Sequence, residues 1–195
     1  SYEMNGEALF PIGTLYDPFV RRGLDAFYYS VYAGASFMVV GTPSGVSLGP
    51  EGGAHQSLVT QSIGTELPDL SFYEPCLGQE LEWIIMASLE KIRNREGSVY
   101  LRLSSKSVDQ GMLVLPTDPD DLETLRLQVL AGAYRLVDRR EEPGYGEDYN
   151  IVHIMASGAM VPEAVQASER LLEEGVFANV VNVTGPGPLY EKYQE

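Results

Sequence analysis

His55 is the side chain best suited to chemistry near neutral pH, because an unperturbed imidazole changes charge in that range. It closes the glycine-rich run Gly49-Pro50-Glu51-Gly52-Gly53-Ala54-His55-Gln56, with Glu51 four residues earlier as an orienting or proton-sharing partner. The glycines would let backbone approach a ligand closely. The motif alone is equally compatible with a tight turn carrying an exposed histidine. His153 sits inside the apolar run Ile151–Met155, where a structural histidine with satisfied nitrogens is the simpler reading. The lone cysteine and the two histidines, at positions 76, 55 and 153, lack the spacing of a zinc site. Ser57 has no nucleophile elbow around it, and neither a Walker loop nor a dinucleotide fingerprint occurs. The segment Leu15–Tyr32 is rich in aromatics and reads, from composition, as core or subunit interface.

The elements that must hold these residues can be predicted from pattern. Asp17-Pro18 reads as an N-cap and first-turn proline opening a helix through Phe19, Leu24, Phe27, Tyr28 and Val31, with Gly34 as its stop. Phe37–Val40 is a short, continuously apolar run and predicts a strand buried on both faces, followed by a glycine-rich loop from Gly41 to Gly53. A strand is predicted over Leu70–Tyr73, a helix over Gly78–Arg95, and a strand through Val99, Leu101 and Leu103. The loop bearing His55 therefore follows a buried strand, where open α/β sheets place their ligand crevices. Beyond a charged stretch ending in Asp138–Asp148, a strand (Ile151–Ala156), a helix (Pro162–Glu174, closed by Gly175) and a strand (Ala178–Val183) form a βαβ unit that starts a new sheet. The expected fold is α/β: a mostly parallel sheet flanked by helices over residues 1–117, a connecting segment over 118–148, and a partial second α/β domain over 149–195.

Thirteen Lys plus Arg against 28 Asp plus Glu give a net charge of −15 over 195 residues, which repels phosphate backbones and anionic lipid. Nucleic-acid and membrane partners are therefore not expected. No run approaches the ~20 apolar residues of a membrane span, residues 1–10 lack a signal-peptide pattern, and the single cysteine fits a reducing compartment, so the expected location is the cytoplasm.

Three segments taken in order carry a family likeness. Thr14-Leu15-Tyr16-Asp17-Pro18-Phe19, the strand leading to Gly41-Thr42-Pro43-Ser44-Gly45-Val46, and Pro50-Glu51-Gly52-Gly53-Ala54-His55-Gln56-Ser57 resemble the pyrimidine-binding domain of thiamine diphosphate enzymes of the transketolase superfamily. The flavour is nearest to the homodimeric-type pyruvate dehydrogenase E1 component and its transketolase-like relatives. The likeness continues through Tyr73-Glu74-Pro75, the helix carrying Glu80 and the strand ending at Ser104-Ser105, and Ile151–Val183 resembles the opening of the family's C-terminal domain.

The resemblance implies that Tyr16 and Phe19 pack on the aminopyrimidine ring, that His55 is catalytic, and that Glu51 and Gln56 face substrate. It implies thiamine diphosphate with Mg2+, the metal ligands lying outside this chain. The family's cofactor-activating glutamate lies well before the aromatic pair. Glu3-Met4-Asn5 resembles the segment that carries it, at a distance from Tyr16 about three helical turns too short. The diphosphate-binding motifs do not occur, so a homodimer partner or a diphosphate-binding domain or subunit would complete the site, and the chain alone would be inactive. Sugar-phosphate transketolases place a histidine at the position of Pro43 and an arginine at that of Ser105. Phosphate esters need such cationic donors, so the expected activity is decarboxylation of a 2-oxo acid such as pyruvate, with the acyl group passed to a lipoyl E2 acyltransferase. The alternatives are a ketol transferase acting on sugar phosphates and a non-catalytic structural subunit.

Overall fold

The computed structural model describes residues 6–194 except residues 8 and 58. Four short strands, β1 (Ile12–Leu15), β2 (Met38–Gly41), β3 (Leu70–Tyr73) and β4 (Ser98–Arg102), form one sheet in the order β1-β2-β4-β3, every pair parallel. Successive side chains of a strand point to opposite faces, and both faces of this sheet are covered. Val39 and Tyr100 join Val20, Phe27, Ile63 and Phe72 on one side. Met38, Val99 and Leu101 join Ile84, Ile92 and Val129 on the other. This two-sided burial is why the strands read as unbroken apolar runs. Helices α1 (Leu24–Tyr32), α2 (Ile63–Glu66) and α3 (Gly78–Asn94) supply most of that cover.

Only part of the predicted first helix is α-helical. Asp17–Gly23 is a 3-10 segment, and Asp17 does not cap it; its carboxylate is fully buried. The buried guanidinium and hydroxyls described below outcompete the helix end for that acid.

The 118–148 stretch, expected to connect, contains two further elements. Helix α4 (Pro119–Ala131) opens on Asp118, which accepts from the amides of Asp120 and Asp121 at 2.9 and 3.1 Å, with proline at the first position. Gly132, in a left-handed conformation, ends it and leads into β5 (Ala133–Val137). With β6 (Ile151–Ala156) and β7 (Phe177–Val183), β5 forms a second sheet in the order β5-β7-β6. The β6–β7 pair is parallel across helix α5 (Val161–Glu173), and β5 runs antiparallel at the opposite edge. A register shift between Arg135 and Val137, with Arg135 exposed, hides β5 from an alternation search. His153 is exposed, against the expectation of a satisfied structural histidine, because β6 is an edge strand with one face open.

The two sheets are bonded into one another. The amide of Glu74 donates to the carbonyl of Thr184 at 2.8 Å, and Tyr73 Oη donates to the carbonyl of Leu130 at 3.1 Å. Glu80, on the first turn of α3, accepts from the amides of Cys76 and Leu77 and from Tyr134 Oη and Asn182 Nδ2 of the second sheet. A buried carboxylate with four donors is satisfied. Helix α6 (Pro186–Gln194) follows β7. Among the described residues no helix is long and apolar enough to cross a membrane.

Candidate functional site

Tyr16 follows β1, the loop bearing Glu51 and His55 follows β2, Glu74 follows β3, and Arg102 is the last residue of β4. In a parallel sheet these positions share the carboxyl edge, where α/β folds gather ligands. The loop is two 3-10 turns, Gly45–Glu51 and Gly53–His55, preceded by a cis peptide at Thr42-Pro43.

A buried ionic cluster holds the loop and the Tyr16–Phe19 segment in place. Arg102, 1% exposed, donates from Nε to Asp17 and Thr60, each at 3.2 Å, from Nη1 to Glu74 at 2.5 Å, and from Nη2 to the carbonyl of Ser57 at 2.5 Å. Thr60 Oγ1 donates to Asp17 at 2.8 Å, and Tyr100 Oη donates a short bond to the other Asp17 oxygen. Ser57 Oγ accepts from the amide of Gly45 at 3.1 Å, closing the loop on itself. A side chain at Gly45, whose φ is +65°, would meet Arg102 Nη2 at 3.0 Å, so a glycine is required there. Burial raises the pKa of Tyr100, with Asp17 adding to it. Burial also raises Glu74 from its ordinary value, against the opposing pull of Arg102. Taken apart, none of these charges would tolerate such burial; together they are paired and hydrogen-bonded.

On this base the structure brings Tyr16, Phe19, Glu51 and His55 together. Tyr16 Oη donates to Glu51 Oε2 at 3.0 Å and lies 3.1 Å from His55 Nδ1. Glu51 Oε2 and His55 Nδ1 are 3.9 Å apart. The Tyr16 and Phe19 rings meet edge to face with centroids 5.2 Å apart, and the Arg22 guanidinium lies 4.4 Å from the Phe19 centroid. Loss of solvent, then the bond to Glu51, raises the pKa of Tyr16. Phe19 remains 43% exposed, and the side chains of His55 and Glu51 are 44% and 55% exposed.

Gln56 stands apart from this cluster. It is half-buried, its amide 3.8 Å from where a side chain on Gly49 would begin, and among the described residues it makes no hydrogen bond to Tyr16, Glu51 or His55. Glu3 lies outside the described residues. A cleft of about 580 Å³ runs between the sheets, lined by Ser44, Glu74, Arg102, Met155 and Met160 among others. It adjoins an open groove holding Ser105 and Lys106, whose ammonium pairs with Glu163 at 2.7 Å. Neither is lined by Tyr16, Glu51 or His55.

The ionic cluster is what sequence reasoning missed. Arg102 inside an apolar strand was its visible signal, since a buried arginine requires acidic partners. Asp17 could not be paired with it from sequence, because 85 residues separate them.

No family model matches the chain. It is 31% identical over 173 residues to a 6-deoxy-6-sulfo-D-fructose transketolase subunit of Clostridium sp. (strain MSTE9), covering 88% of this chain and 46% of that one. It is 26% identical over 187 residues to a 1-deoxy-D-xylulose-5-phosphate synthase of Desulforudis audaxviator, covering 93% of this chain and 25% of that one. In fold it matches the crystal structure of transketolase from Campylobacter jejuni, with a TM-score of 0.73 and 20% identity, over 94% of this chain and 26% of that one. The chain thus spans about half to a quarter of the length of these relatives.

Proposed function

Because the chain belongs to the transketolase superfamily, we propose that it supplies the pyrimidine side of a thiamine diphosphate site in a ketol-transferring enzyme. The observation that carries this reading is the Tyr16–Glu51–His55 cluster, hydrogen-bonded within itself yet open on the surface beside an exposed aromatic. An acid–base group left outside both clefts fits a site that a second surface completes. The diphosphate-binding surface and the metal ligands would lie outside residues 1–195, on a partner subunit, a second copy or a further part of the polypeptide.

The residues present fit the cofactor's pyrimidine end. Phe19 offers uncovered ring surface and Tyr16 stands edge-on to it, a geometry in which a flat heteroaromatic can pack. When bound, thiamine diphosphate would supply a nucleophilic carbon and the electron sink that stabilises the substrate carbanion. His55 exchanges a proton with the substrate oxygen, and Glu51 provides negative charge beside it. Gln56 and Glu3 keep the roles that the resemblance implies, substrate contact and cofactor activation.

The two transketolases named above support ketol chemistry over acyl transfer to a lipoyl carrier. Lys106, adjacent to Ser105 in an open groove and paired with Glu163, is the cation such an enzyme would offer to an anionic end group on the sugar. A second reading, a pyruvate dehydrogenase E1-like enzyme paired with a lipoyl acyltransferase, is favoured by Pro43 and Ser105, which stand where the resemblance puts cationic donors.

The test uses the complete native assembly. Ketol transfer from a ketose donor without release of carbon dioxide from pyruvate supports the first reading, and pyruvate decarboxylation with passage of the acyl group to a lipoyl carrier overturns it in favour of the second. Loss of an acid–base group lowers turnover by about 10²- to 10⁴-fold. Unchanged turnover of His55→Ala would remove His55 from the chemistry and leave a structural role for the chain.

A further inference from the structure

We infer that the hydroxyl of Tyr16 sets the tautomer of His55, making Nε2 the ring atom that exchanges protons with substrate. This deepens the role proposed above for His55 and rests on it. Tyr16 Oη lies within hydrogen-bond distance of both Glu51 Oε2, at 3.0 Å, and His55 Nδ1, at 3.1 Å. Glu51 does not reach the ring itself, since its oxygen is 3.9 Å from Nδ1. Among the described residues the phenol is what bridges the acid and the base.

The direction of the bridge follows from what each group can do. An ionised carboxylate only accepts, whereas a phenol has one hydrogen to donate and lone pairs with which to accept. The Tyr16 hydrogen therefore points to Glu51. The bond between Tyr16 and His55 then exists only if Nδ1 carries the hydrogen and donates. A neutral imidazole has one N–H, so the lone pair is left on Nε2. Loss of solvent and the bond to Glu51 raise the phenol's pKa, which keeps it protonated and the bridge intact.

In the reaction, a substrate hydroxyl gives its proton to the Nε2 lone pair, leaving a substrate oxyanion and an imidazolium. Nothing rearranges at Nδ1, which donates to Tyr16 before and after, and the Glu51 charge reaches the new cation through the phenol. Tyr16 is thus a positioning residue for His55 in addition to any contact its ring makes with the cofactor. Replacing it by phenylalanine keeps the ring and deletes the bridge.

The experiment is a long-range proton–nitrogen correlation spectrum of the labelled 195-residue chain, taken at alkaline pH, where a neutral imidazole holds one ring hydrogen. His153, exposed on β6, serves as the internal reference with the solution preference for hydrogen on Nε2. His55 is expected to carry its hydrogen on Nδ1. Glu51→Ala frees the phenol to donate to Nδ1 and shifts the ring hydrogen to Nε2. Tyr16→Phe removes the acceptor and returns His55 to the pattern of His153. Hydrogen on Nε2 in the unmodified protein, or on Nδ1 in Tyr16→Phe, overturns the inference. The spectrum needs no cofactor or partner, so such a failure is separate from that of the ketol-transfer reading, which turnover tests.

Discussion

Replacing Arg102 by methionine keeps most of the aliphatic stem and removes the guanidinium that joins four segments of the site. Asp17, fully buried, and Glu74, largely so, would then face each other's charge without a cation between them. Removing one partner of a buried ion pair costs about 3–5 kcal/mol, because the other charge stays buried and uncompensated. At roughly 2–4 °C per kcal/mol for a chain of this size, that is a fall in Tm of roughly 6–20 °C. Thermal and urea unfolding followed by circular dichroism would measure it. A double-mutant cycle with Glu74→Gln adds a sign: neutralising Glu74 should recover part of the Arg102→Met loss, with a coupling of about 0.5–3 kcal/mol. A loss below ~1 kcal/mol, or strictly additive effects, would refute the claim that Arg102 is the hub of the loop. The bonds from Arg102 to Asp17 and to the Ser57 carbonyl also predict that Arg102→Met disturbs the His55 ring signals, although the two residues do not touch.

Three further outcomes follow from the packing and charge. Gly64→Ala would place a methyl 2.2 Å from the Cβ and Cγ of fully buried Phe72, and is expected to cost about 1–3 kcal/mol or more in urea unfolding; a neutral result would contradict the close α2–β3 contact. Tyr134→Phe removes the 2.5 Å bond to buried Glu80 and should cost about 1.5–3 kcal/mol, with equal urea midpoints counting against the link between the sheets. Burial raises Glu80 above its ordinary value, against hydrogen bonds that lower it, so the folded state holds this proton more tightly than the unfolded chain. Its contribution is therefore full below the ordinary glutamate range and lost as pH rises through the folded value. Plotted against pH, the stability of Glu80→Gln should lack that component, and an identical slope in both proteins would show that Glu80 ionises as it does in water.

Much of this protein is legible in one dimension. Short apolar runs such as Phe37–Val40 and Leu70–Tyr73 mark buried parallel strands, because a strand covered on both faces has no polar side to alternate. The βαβ unit through Ile151–Val183 likewise follows from periodicity and glycine punctuation, and the glycine-rich loop with Glu51 and His55 stands out because glycine and an acid–base pair are local in sequence. What could not be read locally are the contacts made across the sheet. Asp17 looks like a helix cap until Tyr100, Arg102 and Thr60 arrive from distant strands and loops to claim it. Strand β5 exists because β7 offers it an edge, not because Ala133–Val137 alternates cleanly. Tyr16 is an aromatic among aromatics until the fold sets its hydroxyl between Glu51 and His55, 35 and 39 residues away. Residue types and spacing carry periodicity and local bonding. The direction of a hydrogen bond, and the partner that makes a buried charge tolerable, are properties of three-dimensional neighbours, and only the tertiary structure decides them.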